Sequence, residues 1–210
     1  MKTPFTLHLL EHPLANAFLT DIRDKRAGRA IVRQRVRALA QLLFLEATRD
    51  LPCRMVRVAT PLATARGARI HADIGLVPIL RAGLGMVDGI LELWPDARVF
   101  HLGLYRNEQT LEAVEYYNKL AHHKPVDIAF ILDPMLATGG SACVATQRLK
   151  SWGVRRVKFL GLFAAPEGVQ RLSAEHPDVP LHLGALDEHL NKRGYIVPGL
   201  GDAGDRQFNL

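Results

Sequence analysis

Residues 126–141 read Val126-Asp-Ile-Ala-Phe-Ile-Leu-Asp-Pro-Met-Leu-Ala-Thr-Gly-Gly-Ser141. The apolar run Val126–Leu132 has the composition of a strand buried on both faces, as in the middle of a parallel sheet. It leads into Asp133, and a short loop with Thr138, Gly139, Gly140 and Ser141 then opens a helix over 139–152. A strand, a glycine-bearing turn and a helix in that order form the unit of a doubly wound α/β sheet, whose ligands bind outside the carboxyl ends of the strands. The glycines let backbone N–H groups approach an anion closely. The helix N-terminus adds unpaired donors and a favourable dipole. Thr138 and Ser141 add hydroxyls, and Asp133 offers a carboxylate to sugar hydroxyls. Gly-Gly-Ser alone would read as a plain turn capped by Ser141, and the lysine of a nucleoside-triphosphatase loop is missing.

Working outward, helices are predicted over 13–27, 29–48, 83–93 and 168–176. Strands are predicted over 53–60, 71–80, 98–104, 157–164 and 181–183. In the second helix Val32, Val36, Leu39 and Leu43 recur at helical spacing and form a buried stripe. On the 139–152 helix Ala142, Ala145, Leu149 and Trp152 share a face. Thr64–Ala68, with Gly67, reads as a turn. Tyr105–Lys124 is polar without a clean period and reads as a long mobile loop or hairpin, a feature that is more often functional than accidental. Strands alternating with helices imply a mostly parallel central sheet with helices on its faces.

The chain has 210 residues, two cysteines and a formal net charge of +6. This length suits one large α/β domain. The positive balance favours an anionic partner, and a phosphorylated small molecule and a nucleic acid both qualify. Arg29, Arg33 and Arg37 line one strip of the second helix, and the plainer reading of that strip is a solvated or subunit-facing surface. Cys53 and Cys143 form no CxxC pair, so reduced thiols in a cytoplasmic protein are expected. No signal peptide or membrane span is expected, and partners in a membrane are not.

Asp133-Pro-Met-Leu-Ala-Thr-Gly-Gly-Ser141 resembles the loop of type I phosphoribosyltransferases that binds 5-phosphoribosyl-1-diphosphate (PRPP). Most members of that superfamily carry two adjacent acids at the start of the loop. Asp133 followed by Pro134 is the form characteristic of the uracil phosphoribosyltransferase family. The likeness continues at Phe44–Pro52, at Val77–Gly89 (VPILRAGLGMVDG), at Tyr105-Arg106-Asn107, and at Tyr195–Arg206 (YIVPGLGDAGDR). It departs at Ala27–Val32, where the family usually has Thr or Ser before an aromatic residue.

The resemblance implies a type I phosphoribosyltransferase fold as a single domain over 1–210. A mobile flap is expected at about 105–125, and a hood from the N- and C-terminal segments, its uracil-binding part at about 184–210. It implies that uracil and PRPP give UMP and diphosphate. Arg81, Arg106 and Asp202 take the catalytic roles. PRPP is held by Arg81, Arg106, Asp133, Pro134, Met135, Leu136, Ala137, Thr138, Gly139, Gly140, Ser141 and Asp202. Uracil is held by Ile196, Gly201, Asp202 and Ala203. Mg²⁺ is the expected cofactor, bound through PRPP and water with Asp202 nearby and no direct protein ligand. A GTP effector and a homodimer or homotetramer belong to the same expectation.

Three other signals are set aside. His8-Leu-Leu-Glu-His12 has the spacing of an inverted zinc-protease motif, but Pro13 disfavours the helical geometry it needs at His12. Gly199–Gly204 matches the dinucleotide string without the long strand before it or a helix after it. His122-His123 lacks a third ligand. Two rival functions share the fold. One is an RNA-binding regulator sensing uridine nucleotides, for which the arginine strip speaks and Pro134 does not. The other is an enzyme for another base, such as orotate or a purine. An orotate site needs an added cation, and the 195–206 tail offers only Arg206.

Overall fold

A computed structural model describes residues 5–106 and 113–208. The side chain of Arg106, and Asn107 in the flap, lie outside the described set. In chain order the elements are β1 (Leu7–Leu9), α1 (Pro13–Arg23), α2 (Arg29–Ala47), β2 (Cys53–Ala59), β3 (Thr64–Ile70), β4 (Ile74–Leu80), α3 (Leu84–Leu93), β5 (Arg98–Val99), β6 (Leu102–Arg106) and β7 (Ala113–Asn118). A 3₁₀ turn at Leu120–His122 precedes β8 (Ile128–Leu132), β9 (Met135–Leu136), α4 (Gly140–Trp152), β10 (Arg156–Ala164), α5 (Pro166–Glu175), β11 (Leu181–Leu186), β12 (His189–Leu190), β13 (Ile196–Val197) and α6 (Ala203–Phe208).

The main sheet runs β1-β11-β10-β8-β4-β6-β7, with β5 beside β4 and β9 beside β10. All its pairs are parallel except β6–β7. β8 lies at its centre and every residue of it is buried. Ile128, Phe130 and Leu132 face the core shared with α1, α2 and α3, whereas Ala129 and Ile131 face the core shared with α4 and α5. The apolar run in the sequence therefore serves two cores at a period of two. The α2 stripe and the α4 face are buried as expected, with Trp152 half-buried.

Chain direction sets the position of the site. From β4 the chain moves through α3 to β6 on one side. From β8 it moves through α4 to β10 on the other. The carboxyl ends of the neighbouring strands β4 and β8 thus part company, leaving a crevice at the switch point. Ala82, just after β4, and Asp133, just after β8, both line it. The segment after β4 crosses tightly over β8: a Cβ at Gly83 would lie 2.2 Å from the Leu132 carbonyl oxygen.

The expected turn at 64–68 is a strand instead. β2 and β3 form an antiparallel hairpin in the register Cys53↔Ile70, and its turn is at Thr60–Ala63, where the Thr60 N–H donates to the Ala63 carbonyl and the Ala63 N–H donates to Thr60 Oγ1. Among the described residues the hairpin pairs with no other strand. Most of its side chains are exposed, and the arginines Arg54↔Arg69 and Arg57↔Arg66 face each other across it. The first helix ends at Arg23 rather than at 27, because the backbone turns extended at Asp24. The 71–80 strand starts at Ile74, the 98–104 strand splits into β5 and β6, and α5 starts two residues early, with Pro166 in its first turn. Part of the 105–124 segment is the antiparallel pair β6–β7.

Lys158 on β10 is buried. It donates to the carbonyl of Ala47 at the end of α2 and to Asp50, at 2.6 Å each. The arginine strip is exposed but engaged: Arg33 donates to the Gln207 carbonyl at 2.9 Å and Arg37 to Glu92 at 2.8 Å. No helix among the described residues is long and apolar enough to cross a membrane.

Candidate active site

A cavity of about 240 Å³ opens at the switch point. One wall is the loop after β8: Asp133, Met135, Leu136, Ala137, Thr138, Gly139, Gly140 and Ser141. The other is the C-terminal tail, with Ile196, Gly201, Asp202 and Ala203. Two segments some sixty positions apart in sequence therefore meet across one space.

Local geometry explains the loop side. Gly139 caps α4 with φ +78°, a left-handed conformation that favours glycine. A Cβ there would also lie 2.9 Å from the Gly168 carbonyl. Among the described residues no side chain caps α4, and no acid occupies its first turn, so its leading N–H groups and positive dipole end are suited to an anion. Pro134 is buried behind the loop rather than facing the cavity, and its carbonyl accepts from Leu162 and Phe163. It fixes the loop to β10 and does not line the cavity.

On the tail side, Asp202 Oδ1 accepts from the backbone N–H groups of Gly204 and Asp205 at 2.8 and 3.0 Å. It caps α6 in this way, and Asp202 also lines the cavity. The helix that the dinucleotide string needs is thus present, but the strand before it is only the two-residue β13. Gly199 and Gly201 have φ +53° and +85°, and the Val197–Pro198 peptide is cis, as is Leu80–Arg81. The tail is a chain of turns, and three of its glycines, Gly194, Gly201 and Gly204, line the cavity.

Two carboxyl groups share the site. Burial pushes the Asp133 carboxyl up to about 7, the charge of Asp202 adds to the rise, and the Met135 N–H bonded to it at 3.2 Å opposes it. Arg81 stands at the rim, half-exposed, with Asp205 at 3.8 Å and one guanidinium nitrogen beside Gly204. Arg106 ends β6. Ala82, Ala142, Gly194, Tyr195 and Gly204 also line the cavity and were not singled out from the sequence. Ala82 lies within the Val77–Gly89 block, Gly194, Tyr195 and Gly204 within the expected 184–210 hood, and Ala142 directly after the Asp133–Ser141 string.

His8 lies in β1. His12 is the extended N-cap of α1, its Nδ1 accepting from Leu14, so the pair shares no helix. His122 belongs to the 3₁₀ turn. Among the described residues, one group of three metal-ligating types lies close together, Cys143, Glu175 and His176. None of the three lines the cavity, although Cys143 follows Ala142, and Glu175 is tied to Arg171 at 2.9 Å.

Comparison with known proteins agrees with this layout. Residues 9–210 match the family model described as uracil phosphoribosyltransferase. A protein named uracil phosphoribosyltransferase from Roseiflexus sp. (strain RS-1) is 60% identical over 198 residues, covering 94% of this chain and 95% of the relative. One of the same name from Symbiobacterium thermophilum is 54% identical, covering 95% and 96%. A solved structure of a protein from Aquifex aeolicus superposes with a TM-score of 0.92 at 38% identity, over 98% of this chain and 99% of that one. With the crevice at the switch point, the uncapped helix and the turn-built tail in place, this chain belongs to the uracil phosphoribosyltransferase family.

Proposed function

We propose that this chain transfers the phosphoribosyl group of PRPP to N1 of uracil, giving UMP and diphosphate, a step of pyrimidine salvage. The bond from ribose C1 to the diphosphate oxygen breaks as the bond from C1 to N1 forms, with inversion. The N1 proton passes to water or to the departing diphosphate. The observation that carries this reading is the cavity itself: about 240 Å³ with an uncapped helix N-terminus on one wall and a glycine-rich tail on the other.

The residues divide the task by their chemistry. Thr138–Ser141 and the start of α4 take the 5-phosphate. Asp133 accepts from the ribose hydroxyls. Arg81 and Arg106 face the diphosphate, where guanidinium groups donate in pairs and keep their charge. Negative charge grows on the leaving group as C1–O breaks, so cations there favour the transition state over the ground state. Uracil shows an acceptor–donor–acceptor edge. Backbone groups of Ile196, Gly201 and Ala203 match it and mismatch cytosine, whose N3 is an acceptor. Buried mismatches of this kind discriminate by roughly 10⁴-fold.

Mg²⁺ fits this donor set. Asp133 and Asp202 bring two carboxylates to a cavity meant for a polyanion, an arrangement that calls for an intervening cation. They would hold it through water, and the ion would spread the charge of the diphosphate. The reading extends to a cytoplasmic homodimer or homotetramer with GTP as candidate effector. One assay tests the proposal: uracil, PRPP and Mg²⁺, with and without GTP, following UMP. Orotate and hypoxanthine run in parallel. Absence of UMP, or faster turnover of another base, overturns it.

A further inference from the structure

We infer that Arg23 and Asp187, neither of which lines the cavity, are positioning residues that hold the base-reading backbone in register. The inference rests on the proposed activity and adds to it the parts that set base affinity. Arg23 is the last residue of α1, and Asp187 follows β11, 164 positions later. The guanidinium binds the carboxylate bidentately, Nη1 to Oδ2 at 2.9 Å and Nη2 to Oδ1 at 2.5 Å. The same Nη1 donates to the Gly199 carbonyl at 3.0 Å, and Asp187 Oδ2 accepts from the Gly199 N–H at 2.9 Å. Both polar groups of the Gly199 residue are thereby fixed by one ion pair.

Gly199 sits at the turn between Ile196 and Gly201, at φ +53°, with room for no side chain: a Cβ would lie 2.3 Å from the Ile196 carbonyl oxygen. Ile196 and Gly201 both face the cavity. A rotation about Gly199 therefore displaces backbone groups on both sides of it. Asp187 is 5% exposed and Arg23 lies over the Phe163 ring at 4.2 Å, so water competes weakly for the pair. A second tie runs parallel: Arg206 donates to the Leu200 carbonyl at 3.0 Å and to the Asp24 carbonyl at 2.8 Å. The end of α1 thus grips the tail at two successive residues, while the PRPP wall hangs from β8 and β10 and makes none of these hydrogen bonds, meeting the pair through Phe163, which lies under Arg23 and pairs with Met135.

This separation predicts which kinetic constant moves. Lysine at 23 keeps the charge but cannot make the paired contact and also reach Gly199. In Arg23→Lys, Arg23→Ala and Asp187→Asn, KM for uracil should rise at least tenfold, and KM for PRPP, which meets the tail at Asp202, by no more than about a third of that factor. Methylguanidinium added at millimolar concentration should restore uracil KM in Arg23→Ala. If uracil KM is unchanged in the Lys variant, or if both KM values rise in proportion, the inference is overturned. Should Arg23→Ala not fold, the Lys variant decides alone. Wild-type turnover of uracil is measured first: its absence overturns the activity and the inference together, whereas its presence with an unmoved base KM overturns the inference alone.

Discussion

Replacing Asp133 by Asn tests the chemistry of the sugar site through its pH dependence. The carboxyl lies at about 7 in the free protein because burial and the neighbouring Asp202 both disfavour its charged form. Only the ionised form accepts from two ribose hydroxyls without spending a proton, so PRPP capture should follow its ionisation. A group titrating near 7 is about one-tenth ionised at pH 6 and nine-tenths at pH 8, so kcat/KM for PRPP should climb roughly ninefold across that interval. The Asn variant keeps the acceptor for the Met135 N–H at 3.2 Å but cannot ionise. Its profile should show only the titration of PRPP itself. Initial rates at limiting PRPP, from pH 5.5 to 8.5 in buffers of constant ionic strength, provide the measurement. A wild-type profile that is flat from pH 6 to 8, or an Asn variant that keeps the wild-type slope, refutes the role given to Asp133. Stability moves the other way. The folded protein holds this proton more tightly than the unfolded chain, whose carboxyl titrates near 3.8. The ligand-free protein therefore loses stability as pH rises from about 4 through 7. Above pH 7 the Asn variant should melt higher than wild type.

Three further outcomes are expected. Gly139→Ala forces a left-handed alanine and puts its methyl group 2.9 Å from the Gly168 carbonyl; thermal unfolding should show a loss of about 1–3 kcal/mol, and KM for PRPP should rise roughly tenfold or more. Lys158→Met leaves the Ala47 carbonyl without its donor and should cost about 1–3 kcal/mol in urea unfolding, with KM for both substrates unchanged. Arg106→Ala should cut turnover far more than it weakens uracil binding measured by calorimetry, and equal losses would count against its place on the diphosphate.

The parallel core was legible because β4, β8 and β10 are buried on both faces and so read as continuous apolar runs. The hairpin was half-legible for the opposite reason. β3 is Thr-Ala-Arg-Gly-Ala-Arg-Ile, mostly exposed, with glycine and no apolar alternation, and its strand character comes only from pairing with β2. β1 is a three-residue edge strand that exists because β11 offers it a partner. The loop after β8 was legible through Asp133 at the strand end and the likeness of the whole Asp133–Ser141 string, since its glycines and serine alone read as a plain capped turn. The tail was recognised by likeness rather than by period, because β12, β13 and α6 are too short to show one. Arg23 and Asp187 were invisible for a different reason: a pair separated by 164 positions leaves no spacing to read.

Asp202 gives one side chain two employers. Its Oδ1 starts α6, and the same residue fronts the cavity proposed to hold sugar and base. The start of the last helix and one wall of that cavity therefore rest on the same side chain. An alanine at 202 would damage both and report on neither. Asparagine, which keeps a capping oxygen and surrenders only the charge, is the replacement that tells architecture from chemistry at this position.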